Sequence, residues 1–256
     1  MSSETSSEKP FAAPCRQLRV AEPLSWLVKG WRDFRASLTI SLVYGLLIFA
    51  ISIAVSLLAW IFGRYMLVVA MLSGFVIIAP LLATGLYSIS RQLERGEQPS
   101  LPRSMARMRH ALRDSMVYAL ILLVIFLVWV RAGAMVHVFF PVKLEHGLMS
   151  LIAFFAIGSA VGSIFALVSF AASAFSLPMI VDRNVDMVTA CVTSINAVLR
   201  NKRAMLVWIG LIVSLTGLGF ATAGFGLILV IPLLAYATYH GYVATIDGEQ
   251  WPPSPG

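Results

Sequence analysis

The chain has 256 residues, of which 59% are hydrophobic and 12% are charged, and its formal net charge is +7. A soluble domain usually has about 25% charged and about 45–50% apolar residues. So much apolar surface cannot be enclosed in one globular core, which indicates that a lipid bilayer is the solvent. The basic residues lie between apolar runs, which argues against nucleic-acid binding and for a cytoplasmic membrane face.

Long stretches with almost no charge predict an all-α polytopic membrane protein with six transmembrane helices. Each stretch can cross the bilayer as a helix, which satisfies its own backbone hydrogen bonds. The last stretch, 204–246, is too long for one helix, and the glycines at 217–226 predict a break there. The predicted spans are about 37–62, 65–90, 115–140, 152–181, 204–222 and 225–246.

The distribution of basic residues predicts the orientation. Sixteen of the 19 lysines and arginines lie before the first span or in the second–third and fourth–fifth connections. The positive-inside rule places these segments in the cytoplasm, and both termini with them. We therefore predict a membrane domain over 22–248, a disordered Ser- and Glu-rich cytoplasmic tail over 1–21, and a cytoplasmic tail over 249–256.

An amphipathic segment precedes each pair of predicted spans, so the spans are predicted to form three hairpins, each led by an interfacial helix. Apolar residues at helical spacing form one stripe on each segment; basic residues oppose the first two stripes, and the third ends in the basic run 200–203. The stripes are Leu24, Leu27, Val28, Trp31 and Phe34; Leu101, Met105, Met108 and Leu112; and Val185, Val188, Val192, Ile195 and Leu199. Such helices either bind anionic lipid at the cytoplasmic face or simply anchor the hairpins at the correct depth.

Every even-numbered span contains a proline: Pro80, Pro178 and Pro232. These prolines either kink their helices around a shared cavity or are simply tolerated in membrane helices. The fourth span is rich in small residues, and Gly158 and Gly162 form a GxxxG pattern. That pattern predicts close helix packing, either within the bundle or between two copies of the chain.

Few side chains in the spans can carry chemistry. Arg131 lies toward the outer interface, where it either snorkels or binds an anion. Asp182, Arg183 and Asp186 lie where the fourth span ends, and they are predicted to cap the next helix or to pair with loop arginines. His240 is a lone histidine in the last span, which more often hydrogen-bonds a neighbouring helix than binds a metal. No motif of an enzyme, metal or cofactor site is present, so we expect no enzymatic activity, metal or cofactor.

Several motifs together resemble a bacterial family of predicted integral membrane proteins, the domain of unknown function 2189. They are WLVKGWRD at 26–33, GLY at 85–87 followed by RQLERGE at 91–97, SLPM at 176–179 followed by DRNVD at 182–186, and PLL at 232–234 followed by YH at 239–240. The resemblance covers about 21–248 and implies a multi-pass protein of the bacterial inner membrane. Some family members carry the label of a cytochrome c oxidase subunit, but this chain lacks the membrane histidines of a catalytic oxidase subunit.

These observations favour a non-enzymatic scaffold that binds lipid or a membrane protein partner, in the assembly of a respiratory or envelope complex. The alternative is a small-solute transporter or channel. A polar cavity that reaches the bilayer midplane would favour transport, whereas a centre filled with apolar side chains would favour a scaffold. A membrane-embedded enzyme would require Asp182, Asp186 and His240 to converge.

Overall fold

The computed structural model describes residues 11–62, 82–110, 112–139 and 147–254. Within these residues the chain is all-α, without a β-strand. The helices are α1 (Glu22–Ala36), α2 (Leu38–Phe62), α3 (82–94), α4 (Leu101–His110), α5 (Leu112–Phe139), α6 (Gly147–Ser173), α7 (Ser176–Asp182), α8 (Met187–Arg200), α9 (Lys202–Ala221) and α10 (Leu227–Thr245).

Among the described residues, five helical stretches are long and apolar enough to cross a membrane. They are Leu38–Leu58, Leu112–Met135, Ala156–Asp182, Lys202–Ala221 and Leu227–Thr245, and they coincide with five of the predicted spans. The predicted second span, 65–90, lies mostly outside the described residues, as does Pro80. An all-α membrane protein with several spans is thus confirmed, while the count of six and the three hairpins stay predictions.

Three shorter helices, α1, α4 and α8, occupy the positions of the predicted amphipathic segments. The side chain of Asp186 caps α8 by accepting a hydrogen bond from the backbone N–H of Thr189 at 3.0 Å. Ser100 immediately precedes α4, and its own N–H donates to Gln92 Oε1 at 2.9 Å. Asn201 separates α8 from α9.

Helix α1 packs along α10, which also contacts α2 and α9. Trp26 of α1 is fully buried and makes edge contacts with Trp208 at 5.5 Å and Phe175 at 6.2 Å between ring centroids. A methyl group added at Gly30 would lie 2.7 Å from the backbone nitrogen of Ala237, so glycine allows the two helices to approach this closely. Helix α1 is therefore built into the bundle along one face.

The predicted fourth span is interrupted, because α6 ends at Ser173 and α7 begins at Ser176. Pro178 lies in the first turn of α7, where its missing N–H is tolerated. Ser194 of α8 satisfies the backbone at the break: its hydroxyl accepts from Phe175 N at 3.1 Å and donates to Ala171 O at 2.7 Å. By contrast, Pro232 lies inside α10, which continues through it.

The predicted break between the last two spans is confirmed at residues 222–226. Ala223 and Gly224 have positive φ angles of 54° and 87°, which reverse the chain direction after α9. The hydroxyl of Thr222 accepts a hydrogen bond from the N–H of Gly226 at 2.7 Å and so closes the turn.

Both chain ends differ from the predicted free tails wherever the structure describes them. The N-terminal strap (residues 11–20) is held by bonds such as Arg16 N to Thr245 O at 2.8 Å. The C-terminal strap (residues 247–254) buries Trp251, and Ser254 N donates to Asp182 O at 2.8 Å. The Ser- and Glu-rich composition predicted disorder for the N-terminal segment, but backbone hydrogen bonds to distant residues order its described part, and similar bonds hold the C-terminal strap.

Candidate functional site

The most polar part of the described bundle surrounds Asp182, at the end of α7. One carboxylate oxygen, Oδ1, lies 3.0 Å from Arg91 Nε and 3.7 Å from an Arg95 terminal nitrogen. The other, Oδ2, accepts hydrogen bonds from Arg183 Nε and from the Tyr242 hydroxyl, both at 3.1 Å. One carboxylate thus joins α3, α7 and α10.

Arg91 is the most deeply enclosed member of this group, with 1% of its surface exposed. Its terminal nitrogens donate to Val181 O at 3.0 Å and to Ser254 O at 3.1 Å, so it also holds the C-terminal strap. A buried guanidinium needs both a counter-charge and hydrogen-bond acceptors. Arg91 has the counter-charge of Asp182 and acceptors for both terminal nitrogens, while its buried Nε contacts Asp182 without hydrogen-bond geometry. The Asp182–Arg91 pair therefore fastens helices together and offers no free reactive group.

Arg183 and Arg107 complete the positive side of this region. Burial alone would lower the pKa of Arg183, but the neighbouring Asp182 and Tyr242 raise it above its ordinary value. Burial lowers the pKa of Arg107, on α4, despite the opposing effect of Asp182. The Nε and Nη1 atoms of Arg107 are buried and have no hydrogen-bond partner among the described residues. Several arginines thus surround Asp182.

A second polar group joins α1, α3 and α10. Asp33 Oδ2 accepts a hydrogen bond from the Ser90 hydroxyl at 2.7 Å and lies 2.8 Å from His240 Nε2. The sequence predicted that His240 would bond to a neighbouring helix, and this is confirmed. Its partner, Asp33, was missed, because only apolar residues were included in the predicted stripe of this segment. The spacing of Trp26, Gly30 and Asp33 does place all three on one helical face, which is the buried one.

The remaining predicted residues do not join one site. Asp182, Asp186 and His240 each have different hydrogen-bond partners. The carboxylate of Asp186 caps α8, which is one of the two roles predicted for it. Burial alone would raise the pKa of Asp186, but hydrogen bonds from Thr189 lower it on balance. Arg131 is exposed on α5.

The GxxxG glycines and the neighbouring cleft belong to the α5–α6 pair. A methyl group at Gly158 would meet nothing within 4 Å, and one at Gly162 would lie 3.6 Å from Trp129 Nε1. A cleft of about 350 Å³ runs between these helices and is lined mainly by apolar residues such as Phe126 and Phe165. A second cleft, of about 300 Å³ between α2, α3, α9 and α10, is also mainly aliphatic.

Reasoning from the sequence missed Arg91 and Asp33 as buried partners of the predicted residues. Arg91 was counted with the loop arginines that define the cytoplasmic side. The sequence did contain one indication that Arg91 belongs to the helix. Arg91 directly follows an apolar run and Ser90, and the first glycine that could end the helix comes only at position 96. Among the described residues, no group of three His, Cys, Asp or Glu side chains is placed to hold a metal ion.

Five apolar helical stretches and a polar region at one end of the bundle define an α-helical integral membrane protein. Residues 67–182 match the family described as "Predicted integral membrane protein (DUF2189)", which confirms the resemblance drawn from the motifs. No curated protein and no solved structure matches the chain.

Proposed function

We propose that this protein is a non-enzymatic membrane scaffold that binds anionic lipid at its basic end through the interfacial helices α1, α4 and α8. One observation carries the proposal: each of these helices buries one face in the bundle and leaves large apolar side chains exposed on another. The exposed residues are Leu24, Val28 and Trp31 on α1, Met105 on α4, and Val188, Ile195 and Leu199 on α8.

Exposed apolar side chains next to basic ones are typical of a helix in the membrane interface. On α1, the exposed Lys29 directly follows the exposed Val28. The exposed Arg32 and Arg35 follow the exposed Trp31. The apolar side chains gain free energy by entering the acyl boundary, and each basic residue near anionic lipid adds about 1 kcal/mol. Because their other faces are fixed to the bundle, these helices hold bound lipid in a defined position.

The same arrangement supports an orientation with the basic end in the cytoplasm of a bacterial cell, at the inner membrane. The basic segments that follow the positive-inside rule include α1 and α4, and both straps pack at this end. Both termini are then cytoplasmic. A membrane protein partner, such as a respiratory or envelope complex under assembly, would meet the same exposed faces of α1 and α8.

The membrane-level clefts favour this scaffold over a transporter for polar solutes. Both described clefts are lined mainly by apolar side chains. The charged residues that the structure buries lie at one end of the bundle, and Asp182, Arg91 and Asp33 are already paired there. A solute pathway needs polar groups that are free to exchange partners with a solute.

Site-directed spin labelling tests the proposal. The full chain, with Cys15 and Cys191 replaced by Ser, would carry one nitroxide at Val28→Cys or, as the matched control, at the adjacent Lys29→Cys. In nanodiscs, we expect the label at 28 to lie about 5–10 Å inside the interface, with high oxygen accessibility. The label at 29 should contact aqueous nickel reagent, and anionic lipid should deepen only the label at 28. Equal water accessibility at both positions would contradict the location of α1 in the membrane interface.

A further inference from the structure

The elbow between α8 and α9 contains a pocket of about 500 Å³ beside the start of a membrane-spanning helix. One wall is the N-terminal strap, through Gln17, Leu18 and Val20, and the other is the elbow itself, residues 199–204. The pocket lies where α9 enters the predicted bilayer. It is therefore at the level of lipid headgroups and outside the polar groups around Asp182 and Asp33.

Asn201 fixes the shape of this pocket. Its side-chain oxygen accepts a hydrogen bond from Leu18 N at 2.8 Å, and its side-chain nitrogen donates to Arg16 O and Ala197 O, both at 3.1 Å. The amide is thus used entirely to hold the strap and the end of α8. As a result, Asn201 makes no side-chain cap to the first turn of α9, although it stands in the cap position. The first N–H groups of α9 keep their capacity to bind an acceptor.

Three cations surround these N–H groups. Arg200, Lys202 and Arg203 are exposed, and they take part in none of the ion pairs found among the described residues. Two other arginines at this end of the bundle are paired: Arg103 with Glu97 at 3.3 Å, and Arg91 with Asp182. The partial positive charge at the N-terminal end of α9 is opposed by the adjoining C-terminal end of α8, so the three cations are what make this pocket favour an anion with several acceptor oxygens.

Apolar side chains line part of the pocket, beside the polar Gln17, and continue along α9 outside it. Val20 is 50% exposed and Leu199 is 56% exposed, and Leu206, one turn into α9, is 66% exposed. A free inorganic anion would gain nothing from these side chains. An amphiphile with a phosphate head would place its oxygens on the cations and lay its glycerol and acyl chains along Leu199 and the lipid-facing side of α9.

We infer that the α8–α9 elbow is a specific binding site for the phosphate headgroup of an anionic phospholipid. This inference deepens the proposed function and rests on it, because it assigns one saturable site to the general lipid-binding surface. Bound lipid would fasten the N-terminal strap to the start of α9, since the strap forms one wall of the pocket.

Native mass spectrometry of the full chain in detergent, titrated with phosphatidylglycerol or phosphatidylcholine, tests this site. The pocket variant is R200Q/K202Q/R203Q, and the control is R113Q/R131Q, which removes two exposed arginines of α5, outside the three interfacial helices. We expect the pocket variant to bind its first phosphatidylglycerol at least about tenfold more weakly, since each basic residue contributes about fivefold. The control should retain the first binding event within about threefold.

Each alternative outcome has a distinct meaning. Equal weakening in both variants would overturn the pocket while leaving the general lipid-binding function intact. No preference for phosphatidylglycerol over phosphatidylcholine in the parent chain, with no effect of either variant, would overturn both proposals. Displacement of the lipid by excess inorganic phosphate, with phosphate itself retained, would identify a free-phosphate site and overturn the lipid assignment. If the triple variant does not fold, Lys202→Gln alone should weaken the first binding about fivefold, and an unchanged affinity would overturn the pocket.

Discussion

The α1–α10 region and the α5–α6 pair show two different ways of packing apolar helices. In the first, a methyl group added at Gly30 or Gly241 would lie 2.7 or 2.8 Å from a neighbouring helix. In the second, Gly158 faces open space and a cleft of about 350 Å³ separates the helices. The glycines that close a helix pair here are isolated ones, and the GxxxG pattern lies where the described helices are loosely packed.

The difference in packing between the two regions coincides with the position of the buried polar groups. The tightly packed region contains two buried polar pairs, Asp182 with Arg91 and Asp33 with His240. Apolar contacts alone give little preference between two helices and lipid, because acyl chains are as apolar as leucine. Acyl chains cannot replace the hydrogen-bonding partner of a buried polar group. These polar pairs therefore hold α1, α3, α7 and α10 together. The open α5–α6 pair keeps a surface that a second copy or a partner could cover.

The largest expected effect comes from removing the carboxylate at the centre of the packed region. Asp182→Asn leaves the fully buried Arg91 without its counter-charge, so we expect a loss of about 3–5 kcal/mol in the free energy of unfolding. Unfolding by denaturing detergent, followed by tryptophan fluorescence, measures it. The control is Glu97→Gln, which breaks the exposed pair with Arg103 and should cost less than about 1 kcal/mol. A loss below about 1 kcal/mol for Asp182→Asn would show that Arg91 does not depend on this pair.

A matched glycine pair tests the comparison directly. Gly30→Ala forces α1 away from Ala237, and we expect it to cost about 1–3 kcal/mol of stability. Gly158→Ala meets no neighbour in the described structure and improves helix propensity, so it should be neutral or stabilising by up to about 1 kcal/mol. The same unfolding titration measures both. If Gly158→Ala is the more damaging change, Gly158 contacts a second copy, and the oligomeric state in detergent should then change with it.

The sequence predicted the five spans found among the described residues because a bilayer imposes one simple rule, continuous apolar composition over a fixed length. The last span was predicted over 225–246, and α10 covers Leu227–Thr245. The break before Ser176 could not be predicted in this way, because the segment has no charge on either side of it and the deciding hydroxyl belongs to Ser194 of the next helix. The straps and the burial of Asp33 were missed for the same reason: their partners lie far away in sequence.

At Arg107, in the polar region around Asp182, we expect a substitution to increase the free energy of unfolding. Two of its nitrogen atoms are buried without a hydrogen-bond partner among the described residues, which costs free energy. Arg107→Met keeps the aliphatic stem and removes the unpaired charge, so we expect a gain of about 1–2 kcal/mol in stability. Arg95→Met, which removes an exposed partner of Asp182, should change stability by less than about 1 kcal/mol. A clear loss for Arg107→Met would indicate that the arginine holds an acceptor supplied from outside the described residues.

The smallest effect is expected at the cap of α8, at the edge of the packed region. Asp186→Ala removes the acceptor for the N–H of Thr189 and should cost about 1 kcal/mol near neutral pH. Because hydrogen bonds in the folded state lower the pKa of Asp186, its stabilisation is present above the unfolded pKa of about 4 and is lost as pH falls through the folded value. The difference between parent and variant should therefore shrink when unfolding titrations are repeated below about pH 4. A difference that is constant with pH would mean that Asp186 stabilises α8 without its charge.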